Sequence, residues 1–419
     1  MNICLVSQEY PPETARGGIG TQTWNKAKSL SQLGHEVHVL TCAGAEGPDL
    51  RSESCSGVMV HRMQTPDQGP SGQFPVYSAP AYWLGYSWAV LRQMHNLMKA
   101  ARFDVIDFAE YGAEGFAYQL DRAPWNWAPV IVQLHGPLAM LTRHMGWPEK
   151  DSEFCRVGSF MEGTSIRLAD ALTACSANIA DFTAEFYGVA RESIDVVHCG
   201  VDAEAFRPGG DEQERVPARP TVLFVGNIAA NKGVDAVVES VLRLRLKYPG
   251  IRLQIAGKGD DDLEQNLRDR ACTDGTESCV QFCGFVDRIG LPELYRRADV
   301  FCSPAQYEGG VANVYIEAMA CGCPVVASTS GAAPEAVVDG ETGILVPPRD
   351  VEATVRALDT ILGERDLRGR MGEAGRRRVE DYFAMDKYIL RILTAYQRSI
   401  ERSLPRLRRF QAAAGCGGE

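Results

Sequence analysis

The stretch Asp299-Val-Phe-Cys-Ser-Pro-Ala-Gln-Tyr-Glu308-Gly-Gly-Val-Ala-Asn-Val-Tyr-Ile-Glu317-Ala-Met-Ala-Cys-Gly322-Cys-Pro324-Val-Val-Ala-Ser328 decides the fold class. It reads as strand, loop, helix, turn, strand. Residues 300–303 are a short apolar run ended by Pro304. Glu308-Gly309-Gly310 is a loop whose glycines let a backbone approach a ligand closely. Residues 311–321 have helical character, and Gly322 and Pro324 stop them. Residues 324–328 form a second buried strand. A helix N-terminus behind a Gly-rich loop, at the C-terminal end of a strand, favours phosphate. Two carboxylates, Glu308 and Glu317, flank that loop. A bare diphosphate has little use for carboxylates, whereas the hydroxyls of a sugar or ribose can donate to them. The stretch therefore points to a nucleotide-sugar site.

The same alternation extends outward. Residues 221–225 form a strand followed by Gly226-Asn227-Ile-Ala-Ala-Asn-Lys232-Gly233 and a helix over 234–248. A Gly turn with a lysine at a helix entrance suits a diphosphate, although G-x-x-x-x-G-K-[ST] is absent. A strand over 251–256 ends in Gly257-Lys258-Gly259. Further strands over 279–285 and 343–346 alternate with helices over 263–271, 291–297, 351–362 and 366–382, and a long last helix starts at 384. Asp260-Asp261-Asp262 matches a D-x-D pattern that holds a divalent metal in some transferases. Placed after a Gly turn and before a helix, it reads as capping and dipole complementation.

The first half repeats the theme. A strand over 2–7 leads to a loop with Pro11, Pro12, Gly17, Gly18 and Gly20, then a helix capped by Thr21 and running to 33, then a strand over 36–41. This order gives a parallel sheet. The glycines do not fit G-x-G-x-x-G, which disfavours a nicotinamide dehydrogenase. Residues 54–63 read as a strand pair on one edge, 81–101 and 111–119 as helices. The aromatics Tyr82, Trp83, Tyr86 and Trp88 are expected to pack on the core rather than face a membrane or an acceptor. The strand over 130–134 ends in His135-Gly136-Pro137, which puts an imidazole at the functional edge of the sheet. The other histidines (His35, His38, His61, His95, His144) read as structural. Residues 209–220, rich in Gly, Pro and charge, read as a linker between a domain over 1–208 and one over 221–383.

A chain of 419 residues has room for two such domains. A net charge of −11 argues against nucleic acid as the main partner. The 13 cysteines form no framework and read as reduced thiols of a cytoplasmic protein; neither Cys279-x3-Cys283 nor Cys321-x-Cys323 has the paired spacing of a zinc site. Residues 2–7 lack the basic flank and length of a signal peptide, and no run of 18 apolar residues occurs. The basic tail, with Arg398, Arg402, Arg406, Arg408 and Arg409 among Leu404, Leu407 and Phe410, suits either peripheral contact with anionic lipid or a solvated end.

Taken in order, these residues resemble a GT-B glycosyltransferase of the large retaining family 4 (glycosyl transferases group 1). The resemblance runs through Tyr10-Pro-Pro with Gly17-Gly18-Ile19-Gly20, Gly34-His-Glu-Val-His-Val-Leu and His135-Gly136. It continues in Cys199-Gly200-Val-Asp202 with Phe206-Arg-Pro208, Phe224-Val-Gly226 with Lys232-Gly233, and Ile255-Ala-Gly257-Lys-Gly259. It ends in the opening stretch. It implies an α/β chain of two Rossmann-like, doubly wound parallel-sheet domains facing a cleft, with the last helix (about 384–410) returning to the first domain. The donor it implies is a nucleoside diphosphate sugar, such as a UDP or GDP sugar, and the acceptor a carbohydrate or lipid-linked hydroxyl. By the family pattern Glu317 binds the ribose, Glu308 the sugar, and Lys232 the departing diphosphate. Gly18 and Gly20 offer amides from the first domain, and His135 hydrogen-bonds the sugar at the reacting centre. Gly226, Asn227, Gly257, Gly309, Gly310, Asn313 and Val314 line the donor pocket, and no metal or other cofactor is implied.

Two features depart from the pattern. The spacing from Glu308 to Glu317 is one residue longer than usual, and Asn227 stands where the family often has arginine. Lys258 and Arg288 are further candidate cations. A nucleotide-sugar epimerase or hydrolase, and a noncatalytic nucleotide-sugar-binding protein, are the alternatives; turnover without acceptor, or binding without transfer, separates them.

Overall fold

A computed structural model describes residues 1–14, 17–44, 47–65, 80–123, 127–209, 219–272 and 279–415, with side chains to 406. The chain divides into two compact units, residues 1–198 with 388–419, and residues 199–387.

The first unit contains β1 (Asn2–Val6), α1 (Gly18–Gln32), β2 (Glu36–Cys42), β3 (Leu50–Cys55), β4 (Val58–Met63), α2 (Pro80–Met98), β5 (Val105–Ala109) and α3 (Phe116–Asp121). It continues with β6 (Val130–Leu134), α4 (Leu138–Met145), α5 (Glu153–Leu168), β7 (Ala171–Ala174), α6 (Ala177–Tyr187) and β8 (Ile194–Val196). The strands lie in the order β3-β4-β2-β1-β5-β6-β7-β8. All pairs are parallel except β3 with β4, and the outer strand β3 is largely exposed. Every residue of β5 and β6 is buried, and apart from Asp107 and Gln133 both strands are apolar. The chain reverses direction of winding between β1 and β5, which stay paired to Val6 and Phe108, so the connections leaving these two strands run to opposite sides and mark a crevice edge.

The second unit contains β9 (Thr221–Val225), α7 (Val234–Leu244), β10 (Arg252–Ala256), α8 (Asp261–Cys272), β11 (Val280–Gly284), α9 (Leu291–Arg297) and β12 (Val300–Ser303). It continues with α10 (Asn313–Ala320), β13 (Val325–Ser328), α11 (Ala333–Ala336), β14 (Gly343–Val346), α12 (Val351–Gly363) and α13 (Arg365–Arg378). Its sheet is all parallel in the order β11-β10-β9-β12-β13-β14. The switch point lies between β9 and β12. The last helix, α14 (Met385–Gly415), counts with the first unit from Tyr388 onward. There Tyr396 donates to the buried Asp107 at 2.5 Å, and Arg398 pairs with Asp195 at 2.9 Å. Among the described residues no helix is long and apolar enough to cross a membrane.

Several elements differ from the sequence reading. Helix α1 starts at Gly18 with Gly17 as its extended N-cap, and the Thr21 hydroxyl donates back to the Gly17 carbonyl instead of capping the helix. Its first turn packs so tightly on Glu9 that a Cβ at Gly20 would lie 2.7 Å from the Glu9 Cβ. The helix expected over 111–119 begins only at Phe116, because Gly112 and Ala113 turn through left-handed backbone (φ 85° and 48°). Tyr82, Trp83 and Tyr86 are buried as expected, whereas Trp88 is 58% exposed. Residues 199–208 belong with the second unit rather than the first. Val201 exchanges backbone hydrogen bonds with Phe383 and Met385, and Arg376 donates to the carbonyls of Ala203, Phe206 and Ala320. Most of the expected linker lies outside the described residues.

Candidate functional site

In the second unit the loops after β9, β10 and β12 are laced by glycine. Gly226 and Gly257 have φ of 151° and 153°, and a Cβ on Gly257 would lie 1.9 Å from the Gly226 carbonyl oxygen. Only hydrogen fits at that approach. Ile228 pairs its backbone with Lys258 and Asp260, so this turn is held in place. A short 3-10 turn, Ala230–Lys232, then delivers Lys232 to the start of α7. Gly233, at φ 73°, sits where a Cβ would meet the Pro304 carbonyl at 2.6 Å. The Gln306 amide donates to Asn231 O at 2.8 Å, which ties the loop after β12 to the loop after β9.

Two carboxylates from the opening stretch meet cations here. Lys232 Nζ lies 2.8 Å from Glu308 Oε1, with the lysine 31% and the glutamate 12% exposed. The Glu308 backbone is fixed from the other side, since its carbonyl accepts from the Ala332 amide at 2.7 Å. Glu317, on α10, is 4% exposed. Its Oε1 accepts from Arg288 Nη1 and its Oε2 from the Tyr295 hydroxyl, each at 3.2 Å. Burial raises its carboxyl pKa, and Arg288 and Tyr295 pull it back. Arg288 thus serves Glu317. Asn227 is exposed. Helix α10 begins at Asn313 with no side-chain cap on Ala312, and its N-terminal dipole end favours anions, although the Tyr315 amide is already bonded to the Ala312 carbonyl at 3.1 Å. Val314 and the Gly309-Gly310 pair lie on the same loop and first turn. Asp260 caps α8, accepting from the Leu263 amide at 3.0 Å. Among the described residues no group of three metal-ligating side chains is assembled.

In the first unit His135 stands where β6 ends. Its amide and that of Gly136 both donate to Glu110 Oε1, at 2.6 and 2.5 Å. Burial, with Lys26 nearby, pushes the His135 imidazole down to about 3, so it is a neutral hydrogen-bonding ring at pH 7. Glu110 is wholly buried, and burial pushes its carboxyl up to about 7 against the pull of those amides. Beside it, Glu114 accepts from the Gln8 amide at 2.8 Å and is raised well above the usual range by burial. Lys26 is buried too, bridging Asp107 at 2.7 Å and Gln133 at 2.8 Å. Gly18 has open space around it, while the neighbouring Gly17 amide is taken by Glu9 at 2.6 Å.

Glu110 and Glu114 were not singled out in the sequence. For Glu110 the available signal was the same one that marked His135, a polar side chain immediately after a strand of a parallel sheet; Glu114, inside the turn before α3, carried none.

Residues 16–205 match the family model "Glycosyltransferase Family 4", and residues 219–364 match "Glycosyl transferases group 1". A glycogen synthase of Mycobacterium tuberculosis is 30% identical over 393 residues, covering 91% of this chain and 91% of that protein. A D-inositol 3-phosphate glycosyltransferase of Nocardia farcinica is 30% identical over 366 residues, covering 85% of this chain and 79% of its own length. Among solved structures, sucrose-phosphate synthase from Thermosynechococcus elongatus superposes with a TM-score of 0.79 at 21% identity, covering 95% of this chain and 98% of that one. With its two doubly wound parallel-sheet units, the chain belongs to the family 4, group 1 glycosyltransferases and has their GT-B fold.

Proposed function

We propose that the protein transfers a sugar, with retention of anomeric configuration, from a nucleoside diphosphate sugar to an acceptor hydroxyl in polysaccharide, glycolipid or related synthesis. The observation that carries this reading is the Lys232–Glu308 pair at 2.8 Å beside the start of α10, with the buried Glu317 one helical face further on. A diphosphate arriving at Lys232 competes with Glu308 for the ammonium and frees that carboxylate to accept from sugar hydroxyls. The α10 amides offer the further donors that a leaving diphosphate needs as its charge grows. Glu317, held in orientation by Arg288 and Tyr295, is the acceptor for the ribose hydroxyls. On the first unit, neutral His135 is a hydrogen-bonding group for the sugar, with its loop fixed by Glu110. In retention the acceptor hydroxyl attacks from the leaving-group face, and a phosphate oxygen takes its proton. This route uses the Lys232 cation and neutral backbone amide donors to take up the charge, so the reading is metal-independent.

The test is incubation with a panel of UDP, GDP and ADP sugars, with and without candidate acceptors, following nucleoside diphosphate release and the anomeric signal of the product by NMR. Acceptor-dependent release with a retained anomer is expected. An inverted product refutes retention. Release without any glycosylated product replaces transfer by hydrolysis.

A further inference from the structure

At the N-terminal edge of β6 and β7, the ends of α3 and α5 and the late turns of α14 line an open pocket of about 440 Å³. It lies away from His135: β6 alone separates Val130 from that residue by roughly 17 Å of strand. Four arginines line it (Arg122, Arg167, Arg402 and Arg406), together with Trp127 and a single carboxylate, Asp170. In a chain of net charge −11, that leaves three uncompensated positive charges in one small space.

The carboxylate is already committed. Asp170 Oδ2 accepts from Arg122 Nη1 at 2.5 Å and from the Val130 amide at 2.9 Å, and Oδ1 faces Arg406 at 3.4 Å. The guanidiniums of Arg122 and Arg406 both lie over the Trp127 ring, 4.1 and 4.7 Å from its centroid, which fixes their planes. Some of the cations serve helix ends: Arg122 Nη2 donates to Leu168 O at 2.6 Å and Arg167 Nη1 to Tyr187 O at 3.4 Å. That use does not extend to Arg402, which has no hydrogen bond or ion pair among the described residues. Nor does it satisfy the buried Nε of Arg122, which finds no acceptor among them. Gathering like charges costs free energy unless an anion is shared between them.

We propose that this pocket binds a soluble phosphorylated small molecule, of the size of a hexose phosphate or a mononucleotide, at a site separate from the one assigned to glycosyl transfer. The volume falls within the range of small-molecule pockets. Guanidinium forks match phosphate oxygens two at a time. Arg122 and Arg167 come from the first half of the sequence, and Arg402 and Arg406 from the last helix. A bound phosphate therefore fastens α14 to the body of its unit, and the site reads out as ligand-dependent stability.

The experiment uses the full chain, with thermal unfolding and calorimetric titration at constant ionic strength. The probes are inorganic phosphate and glucose 6-phosphate, with glucose as the uncharged control. Saturable binding of both phosphates, a raised Tm and no response to glucose are expected. Arg402→Gln should weaken binding about tenfold or more, as for loss of one charged hydrogen-bond donor. Arg167→Gln with Arg402→Gln should abolish it. Lys232→Ala should leave it unchanged, and nucleoside diphosphate binding should survive the arginine changes. Equal binding by the double variant and the wild type overturns the proposal, as does the lack of saturable binding by the wild type. Capture of the wild type by phosphatidylglycerol vesicles, without response to the soluble phosphates, also overturns it. If the double variant is misfolded by circular dichroism, sulfate competition on the wild type decides. Sulfate should displace phosphate, and failure to do so counts against the site.

Discussion

Replacing Lys232 by alanine separates the chemistry of this site from its stability. Two unit charges 2.8 Å apart attract by roughly 6 kcal/mol at an effective dielectric constant of about 20. Lys232 is nearly one-third exposed, so solvent screening and the cost of ordering both side chains reduce the net contribution to about 1 kcal/mol. For units of this size such a loss lowers Tm by only about 2 to 4 °C. In the proposed transfer the transition state differs, because diphosphate charge would grow beside the ammonium and removing one preorganised donor there typically costs about 3 kcal/mol, a rate loss of about two orders of magnitude. Lys232→Ala should therefore unfold almost like the wild type yet turn over about a hundredfold more slowly. Glu308→Gln, which keeps the shape but removes the counter-charge, should leave diphosphate binding intact and impair sugar transfer. The assay is continuous detection of released nucleoside diphosphate, alongside thermal unfolding of each variant. Turnover of Lys232→Ala within about twofold of wild type, with an intact fold, refutes the role given to this cation.

Other outcomes follow from packing and titration. Gly257→Ala forces a Cβ to within 1.9 Å of the Gly226 carbonyl at φ 153° and should cost about 3 kcal/mol or more in urea unfolding, whereas Gly18→Ala, in open space, should stay within about 0.5 kcal/mol. With its pKa near 3, His135 should show no NMR titration between about pH 5 and 8, and a midpoint inside that window contradicts the downward shift assigned to it. Glu110, raised to about 7, binds a proton more readily folded than unfolded. Its contribution is therefore full below the unfolded pKa and falls away as pH rises toward 7; Glu110→Gln should remove that slope from stability–pH curves. Tyr396→Phe removes the hydroxyl that donates to Asp107 at 2.5 Å and should destabilise the first unit by about 1 to 2 kcal/mol, read from urea midpoints.

The strands and glycine turns were legible because buried parallel strands leave near-continuous apolar runs, and because positions such as Gly233 and Gly257 leave no room for a side chain. Lys232, Glu308 and Glu317 were singled out because strand-end loops and the helices they open carry the chemistry of such sheets, and the structure brings the first two to within 2.8 Å. Thr21 misled because a polar residue with capping chemistry stood near a helix whose true start is set by small residues against Glu9. Glu110 was not singled out in the sequence; only the fold shows it wholly buried under the amides of His135 and Gly136. Arg288 seemed a candidate for the diphosphate, yet proximity gives it to Glu317. Pairings between distant residues, such as Arg122 with Asp170 or Tyr396 with Asp107, leave no local pattern to read.

The return of α14 to the first unit bears on how the chain matures. The sheet laid down first contains Asp107, whose tyrosine partner is made 289 residues later. The second unit, residues 199–387, is continuous and has all of its strands before that partner emerges. Vectorial synthesis therefore lets the later-encoded half reach completion first, while the half encoded first waits on the ribosome with a helix-sized share of its interior uncovered. Premature stops near residue 387 would consequently injure the part of the molecule made earliest, leaving the second unit able to fold.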